Sequence, residues 1–148
     1  MDHDARIRDQ FTRQAVPFSD APSMRDEAAI ALLVEAAAVR PGGRALDGGC
    51  GPGLVALAFS ERVAHATGLD ATPAMLDRAR ALQRERGRDD VGWQEGDAYR
   101  LPFPGAGFDA ATSRLAFHHL GELRALLAGA GLHHPAVVLA ATVPEVRP

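Results

Sequence analysis

Short apolar runs alternate with helix-spaced apolar sets along the 148-residue chain, and that alternation predicts strands separated by helices. Residues 1 to 21 are polar and mixed in charge and close on Pro17 and Pro22, which predicts a short helix and an extended lead-in able to act as a lid. Ser23, with Asp26 three residues on, marks a helix start. Ala28, Ile30, Leu32, Leu33, Ala36 and Ala37 then give that helix a broad apolar face to about Val39. Pro41-Gly42-Gly43 breaks it, and Arg44-Ala45-Leu46-Asp47 predicts a short buried strand before a glycine cluster. Helical spacing returns from Leu54 to Val63, and His65 to Leu69 predicts a second strand ending in Asp70. Thr72-Pro73 offers an N-cap followed by proline at the first helical position, with Met75, Leu76, Ala79 and Leu82 carrying a helix to about Arg86.

Val91 to Glu95 predicts a third strand, and Phe108 to Ser113 a fourth, reached through turns at Pro102, Pro104, Gly105 and Gly107. Beyond them come a helical stretch, Glu122 to Ala130, and a fifth strand over Ala136 to Val143. Strands separated by helices call for parallel pairing through right-handed crossovers. The expected fold is therefore α/β, a Rossmann-like three-layer αβα sandwich with a mostly parallel sheet, in one domain over residues 1–148.

Composition narrows the function classes. The chain is 47% hydrophobic and 24% charged, as a globular protein is, with a formal net charge of −3. Its sixteen basic residues are all arginine and lie scattered, so nothing is built to neutralise a run of phosphates, and no nucleic-acid partner is expected. The lone Cys50 makes neither an internal disulfide nor a multi-cysteine metal site; no metal is expected. A charged N-terminus and the lack of an apolar run of membrane length predict a cytoplasmic protein with no membrane partner.

The candidate chemistry centres on Asp47-Gly-Gly-Cys-Gly-Pro-Gly53, between a strand and a helix, where ligands of parallel sheets bind. Gly49, Gly51 and Gly53 permit a tight turn and a close ligand approach. Asp70, about twenty residues past Gly49, sits where a carboxylate accepts both hydroxyls of a ribose; its alternative is a turn aspartate capping the next helix. Gly51-Pro-Gly53-Leu-Val-Ala56 also fits a dinucleotide fingerprint, but Asp47 would repel a pyrophosphate and suits a cationic ligand instead.

These segments resemble the class I S-adenosylmethionine-dependent methyltransferases, and in particular the group similar to the ubiquinone/menaquinone-biosynthesis methyltransferases. Ala45-Leu-Asp-Gly-Gly-Cys-Gly-Pro-Gly53 is similar to the family's glycine motif and Gly68-Leu-Asp-Ala-Thr-Pro-Ala-Met-Leu76 to its ribose-binding strand end. Gly96-Asp-Ala98 with Leu101-Pro-Phe103 resembles the adenine-contacting segment, and Phe108 to Leu120 the fourth strand and the loop after it. The resemblance implies S-adenosyl-L-methionine as cofactor and a small-molecule methyl acceptor. It implies a binding set of Asp47 for the methionine ammonium, Gly49, Cys50, Gly51 and Gly53 beneath the amino-acid part, and Asp70 and Ala71 at the ribose. Met75 and Ala98 would lie against the adenine, Asp97 on its amino group, and Arg114 along the site after the fourth strand.

Each has a plainer alternative: Met75 as core, Asp97 as a loop opener, Arg114 as a surface cation, Cys50 as a small packing residue. His118 and His119 are the pair placed to act as general base, a role needed only for a weak nucleophile; otherwise they cap or pack. Members of the family usually continue past the fourth strand to an antiparallel pair that closes the sheet, so with the chain ending at Pro148 the family's last strands are expected to be missing; the segment Gly121 to Pro148 also lacks the Pro-Gly-Gly turn usual before the fifth strand. The uncovered edge would then be buried in a homodimer or left beside a free tail. Two other functions stay open: a non-catalytic domain that binds S-adenosylmethionine or its demethylated product, and a nicotinamide-dependent oxidoreductase.

Overall fold

The first apolar run after the glycine-proline break forms the middle of a parallel sheet. In the computed structural model, which describes residues 3–20, 25–98, 100–103, 107–114, 128 and 130, the sheet contains β1 (Arg44–Gly48), β2 (His65–Asp70), β3 (Val91–Glu95) and β4 (Ala110–Thr112). Their order is β3-β2-β1-β4, all parallel. The chain moves outward from β1 to β3 and then returns to the other side of β1, so the switch point lies between β1 and β4. The crevice at such a point is where open α/β sheets bind ligands.

Period-2 alternation assigns the two faces. Ala45, Ala66 and Val91 form one cross-strand row and pack with Ile30, Leu33 and Val34 of α2 (Glu27–Ala36) and Leu54 to Phe59 of α3 (Leu54–Ser60). Leu46, Leu69 and Ala111 pack in a second cluster with Phe108, Ala130, Leu101 and Phe103. Helix α4 (Pro73–Arg86) follows β2 and brings Leu82 to the first cluster. Ala128 is helical and Ala130 is fully buried. The rest of the predicted Glu122 to Ala130 helix, the predicted Ala136 to Val143 strand and the sheet edge expected to mediate a dimer lie outside the described residues. Among the described residues, no helix is long and apolar enough to cross a membrane.

Several boundaries differ from the sequence expectation for local reasons. The N-terminal segment is a single helix, α1 (His3–Asp20), running through Pro17 rather than a short helix with an extended lead-in. It packs along α4, buries Ala15 and pairs Asp20 with Arg78 at 3.6 Å, so tertiary contact outweighs the proline. Helix α2 is capped by Asp26, whose Oδ1 accepts the Ala29 N–H at 3.0 Å; Ser23 lies outside the described residues. It ends at Ala36, short of Val39, in a turn with Ala38 at φ +48°. Helix α3 ends at Ser60 instead of Val63, where Arg88 donates to the Ser60 carbonyl at 2.5 Å and ties the helix end to the start of β3. Strand β4 is shorter than Phe108 to Ser113, and Asp109 just before it is joined to Arg44 twice: its N–H donates to the Arg44 carbonyl at 2.8 Å and its carboxylate accepts the Arg44 N–H at 2.8 Å, while also pairing with Arg40 at 3.0 Å.

Candidate functional site

Parallel pairing brings every strand's carboxyl end to one edge, and the acidic positions gather there. β1 contributes Asp47, β2 ends in Asp70, Asp97 follows β3 and Arg114 follows β4. Between β1 and α3 the chain turns through Gly49, Gly51 and Gly53 at φ +67°, +54° and +87°, a left-handed region that side chains disfavour. The loop is tied to β2: Cys50 N–H donates to the Leu69 carbonyl at 2.8 Å, and Gly51 N–H to Asp70 Oδ2 at 2.8 Å.

Gly53 meets a packing demand as well. A Cβ there would stand 2.4 Å from the Trp93 ring and 2.9 Å from the Ala79 methyl. Gly68 faces the same ring, where a Cβ would come within 2.6 Å. Trp93 therefore lies against the underside of the loop, and its indole N–H donates to Gln83 Oε1 at 2.7 Å. Gln83 in turn donates to the carbonyls of Arg88 and Val91, at 2.8 and 3.3 Å, joining α4 to β3.

Trp93, Gly68, Asp47 and Thr112 form one straight cross-strand row. Asp47 is only 2% exposed, and Thr112 donates its hydroxyl to Oδ1 at 2.9 Å. Burial is the main cause that pushes the Asp47 carboxyl from 3.8 up to about 7; the nearby Asp70 raises it further, whereas the Thr112 hydroxyl and the Arg114 charge lower it. Next along β4, Ser113 donates to the Gly48 carbonyl at 2.8 Å and fastens the end of β1.

Asp70 is partly buried and fixed at both oxygens, Oδ2 by Gly51 N–H and Oδ1 by Thr72 N–H at 2.9 Å. Its second bond is the helix-start role that the plainer alternative assigned to it, and the Thr72 hydroxyl makes no cap bond of its own. Burial raises its pKa, while the Gly51 and Thr72 bonds oppose the rise. The Ala71 N–H and the Thr72 hydroxyl also act on this carboxylate to lower its pKa.

The other predicted positions divide by exposure. Cys50 is buried, its thiol pushed well up by burial and by Asp47 and Asp70, as a packing residue would be. Met75 is 2% exposed in the interior. Ala71 and Asp97 are exposed, Ala98 packs against the second core cluster, and Arg114 is half-buried. His118 and His119 lie outside the described residues. Thr112, Ser113, Trp93 and Gln83 went unremarked in the sequence, because their contacts depend on strand register and on the angle between α4 and β3.

Two buried or partly buried carboxylates flank a glycine loop bent by three positive φ angles, an arrangement that favours a ligand carrying cations and a ribose over one carrying a pyrophosphate. The parallel sheet with its glycine loop and strand-end aspartates has the Rossmann-like organisation of the S-adenosylmethionine-dependent methyltransferases.

Comparison with known proteins shows the family. Residues 45–131 match the family described as Methyltransferase domain, and the chain belongs to that family, within the class I S-adenosylmethionine-dependent methyltransferases. It is 37% identical over 114 residues to the uncharacterized methyltransferase YcgJ of Bacillus subtilis, a match covering 77% of this chain and 45% of YcgJ. The 2-phytyl-1,4-naphtoquinone methyltransferase of Synechococcus elongatus is 36% identical over 103 residues, covering 65% of this chain and 43% of that protein. The chain thus spans less than half the length of either relative. The crystal structure of YcgJ superposes with a TM-score of 0.62 at 38% identity, covering 69% of this chain and 44% of that one. The cyclase SpnF superposes at 0.59 with 31% identity, covering 66% and 37%.

Proposed function

We propose that the carboxyl edge of the sheet binds S-adenosylmethionine and that the protein transfers its methyl group to a small-molecule nucleophile. The observation that carries this is the pair of fixed carboxylates: Asp70, held by Gly51 and Thr72, for the ribose, and Asp47, held by Thr112, for the methionine ammonium. Asp97 and Ala98, past β3 on the same edge, border the adenine, and Arg114 borders the acceptor side.

When bound, S-adenosylmethionine supplies a methyl group on a sulfonium. The chain's own work is to hold and to exclude water. Asp47, set in the interior, offers its charge in a medium of low polarity, where attraction to a cation is stronger than in water. The Asp70 bonds fix the glycine loop to the helix start, so the ribose site is preformed and ordering it costs little on binding.

A second reading is binding without methyl transfer. The likeness to SpnF, a cyclase, favours keeping it, since that protein pairs the same fold with another chemistry. Both readings require the cofactor. Isothermal titration calorimetry with S-adenosylhomocysteine tests them together: micromolar binding weakened tenfold or more by Asp70→Ala, about 1.4 kcal/mol, is expected. An absence of binding by the unmodified chain would overturn both.

A further inference from the structure

Asp47 is the least exposed of the acidic groups at the site, and a buried carboxylate serves a cationic ligand only if it is ionised and held in place. The β1–β4 register sets Thr112 directly beside it, and the Thr112 hydroxyl reaches Oδ1 at 2.9 Å. Thr112 is itself 5% exposed. Its oxygen also lies 3.5 Å from the Leu46 carbonyl, too long to compete with the bond to Asp47. The hydroxyl is thus committed to the carboxylate.

We propose that Thr112 is a positioning residue of the cofactor site, its hydroxyl donating to Asp47 Oδ1 and orienting that carboxylate for the ligand's ammonium. This rests on the cofactor reading above. The other charged or titratable groups facing Asp47 are Asp70 at the end of β2, Cys50 in the loop and Arg114 after β4. Asp70 opposes ionisation of Asp47 and Arg114 favours it. Thr112 is the group among these that acts through a direct hydrogen bond. A hydrogen bond donated to the charged form of an acid lowers its pKa; without that donor, Asp47 keeps its proton to higher pH. An approaching ammonium then has to displace the proton, and affinity near neutral pH falls.

The test compares wild type, Thr112→Val and Thr112→Ser. Binding of S-adenosylhomocysteine is measured by calorimetry between about pH 6 and about pH 8.5, and the Asp47 carboxyl is titrated by carbon NMR in the ligand-free proteins. For wild type, affinity should rise with pH through about 7 and level off. For Thr112→Val the bend and the carboxyl titration should both move up by about one pH unit, with binding about fivefold weaker near pH 7, approaching tenfold toward pH 6, and the gap closing at higher pH. Thr112→Ser should restore the wild-type curve. Equal binding by Thr112→Val, or a loss of the same size at every pH with Asp47 titrating as in wild type, would overturn the proposal. If wild type binds no S-adenosylhomocysteine, the cofactor reading fails, whereas the ligand-free titration still decides whether Thr112 controls the carboxylate.

Discussion

Replacing Asp47 with asparagine separates what the site needs from what the fold prefers. Burial is the first cause lifting the Asp47 carboxyl from 3.8 to about 7. Between those values the folded chain holds a proton that the unfolded chain has released, so stability falls as pH rises from about 4 to about 7 and is flat on either side. At about 1.4 kcal/mol per pH unit, the fall between about pH 5 and about pH 8 is about 3 kcal/mol. Asparagine carries no such proton. It keeps a carbonyl oxygen for the Thr112 hydroxyl, and its amide N–H contributes an offset that does not change with pH.

The melting temperature of Asp47→Asn, relative to wild type, should therefore rise by roughly 6–12 °C on going from about pH 5 to about pH 8, given ~2–4 °C per kcal/mol for a chain of this size. Calorimetric scans of both ligand-free proteins at the two pH values measure it. Groups that titrate in both proteins cancel in the difference. A gap in melting temperature that stays constant with pH would refute the claim that the interior opposes this charge. The same variant should bind S-adenosylhomocysteine poorly, since the charge is what the ammonium requires.

Packing beneath the glycine loop supports two further expectations. Gly53→Ala, at φ +87° with its new methyl directed into the Trp93 ring, should cost at least about 2 kcal/mol in urea denaturation. Gln83→Leu removes the acceptor of the Trp93 indole and the donor to the Arg88 and Val91 carbonyls, so a loss of ~1–3 kcal/mol is expected, with a shift in the emission of the single tryptophan.

Legibility in the sequence followed the range of the interaction. The strands and the glycine loop depend on neighbours in the chain: Arg44 to Asp47 lies next to a proline-glycine break, and His65 to Asp70 and Val91 to Glu95 stand where their apolar residues placed them. Asp70 was legible for the same reason, being a strand end beside a Thr-Pro helix start. The single α1 helix was not, because Pro17 argues locally for a break and only the contact with α4 overrides it.

The least legible feature is also the one closest to the chemistry. Thr112 lies 65 positions from Asp47 in the chain and meets it only because β4 pairs with β1 in one particular register. A slip of one residue would turn Thr112 to the opposite face and deprive Asp47 of this donor. The order of strands that puts the switch point between β1 and β4 thus does two things: it opens the crevice, and it supplies the hydroxyl for the one carboxylate buried at its edge. A motif can point to Asp47, but the hydroxyl bonded to it lies across the sheet, on a residue that no local pattern singles out.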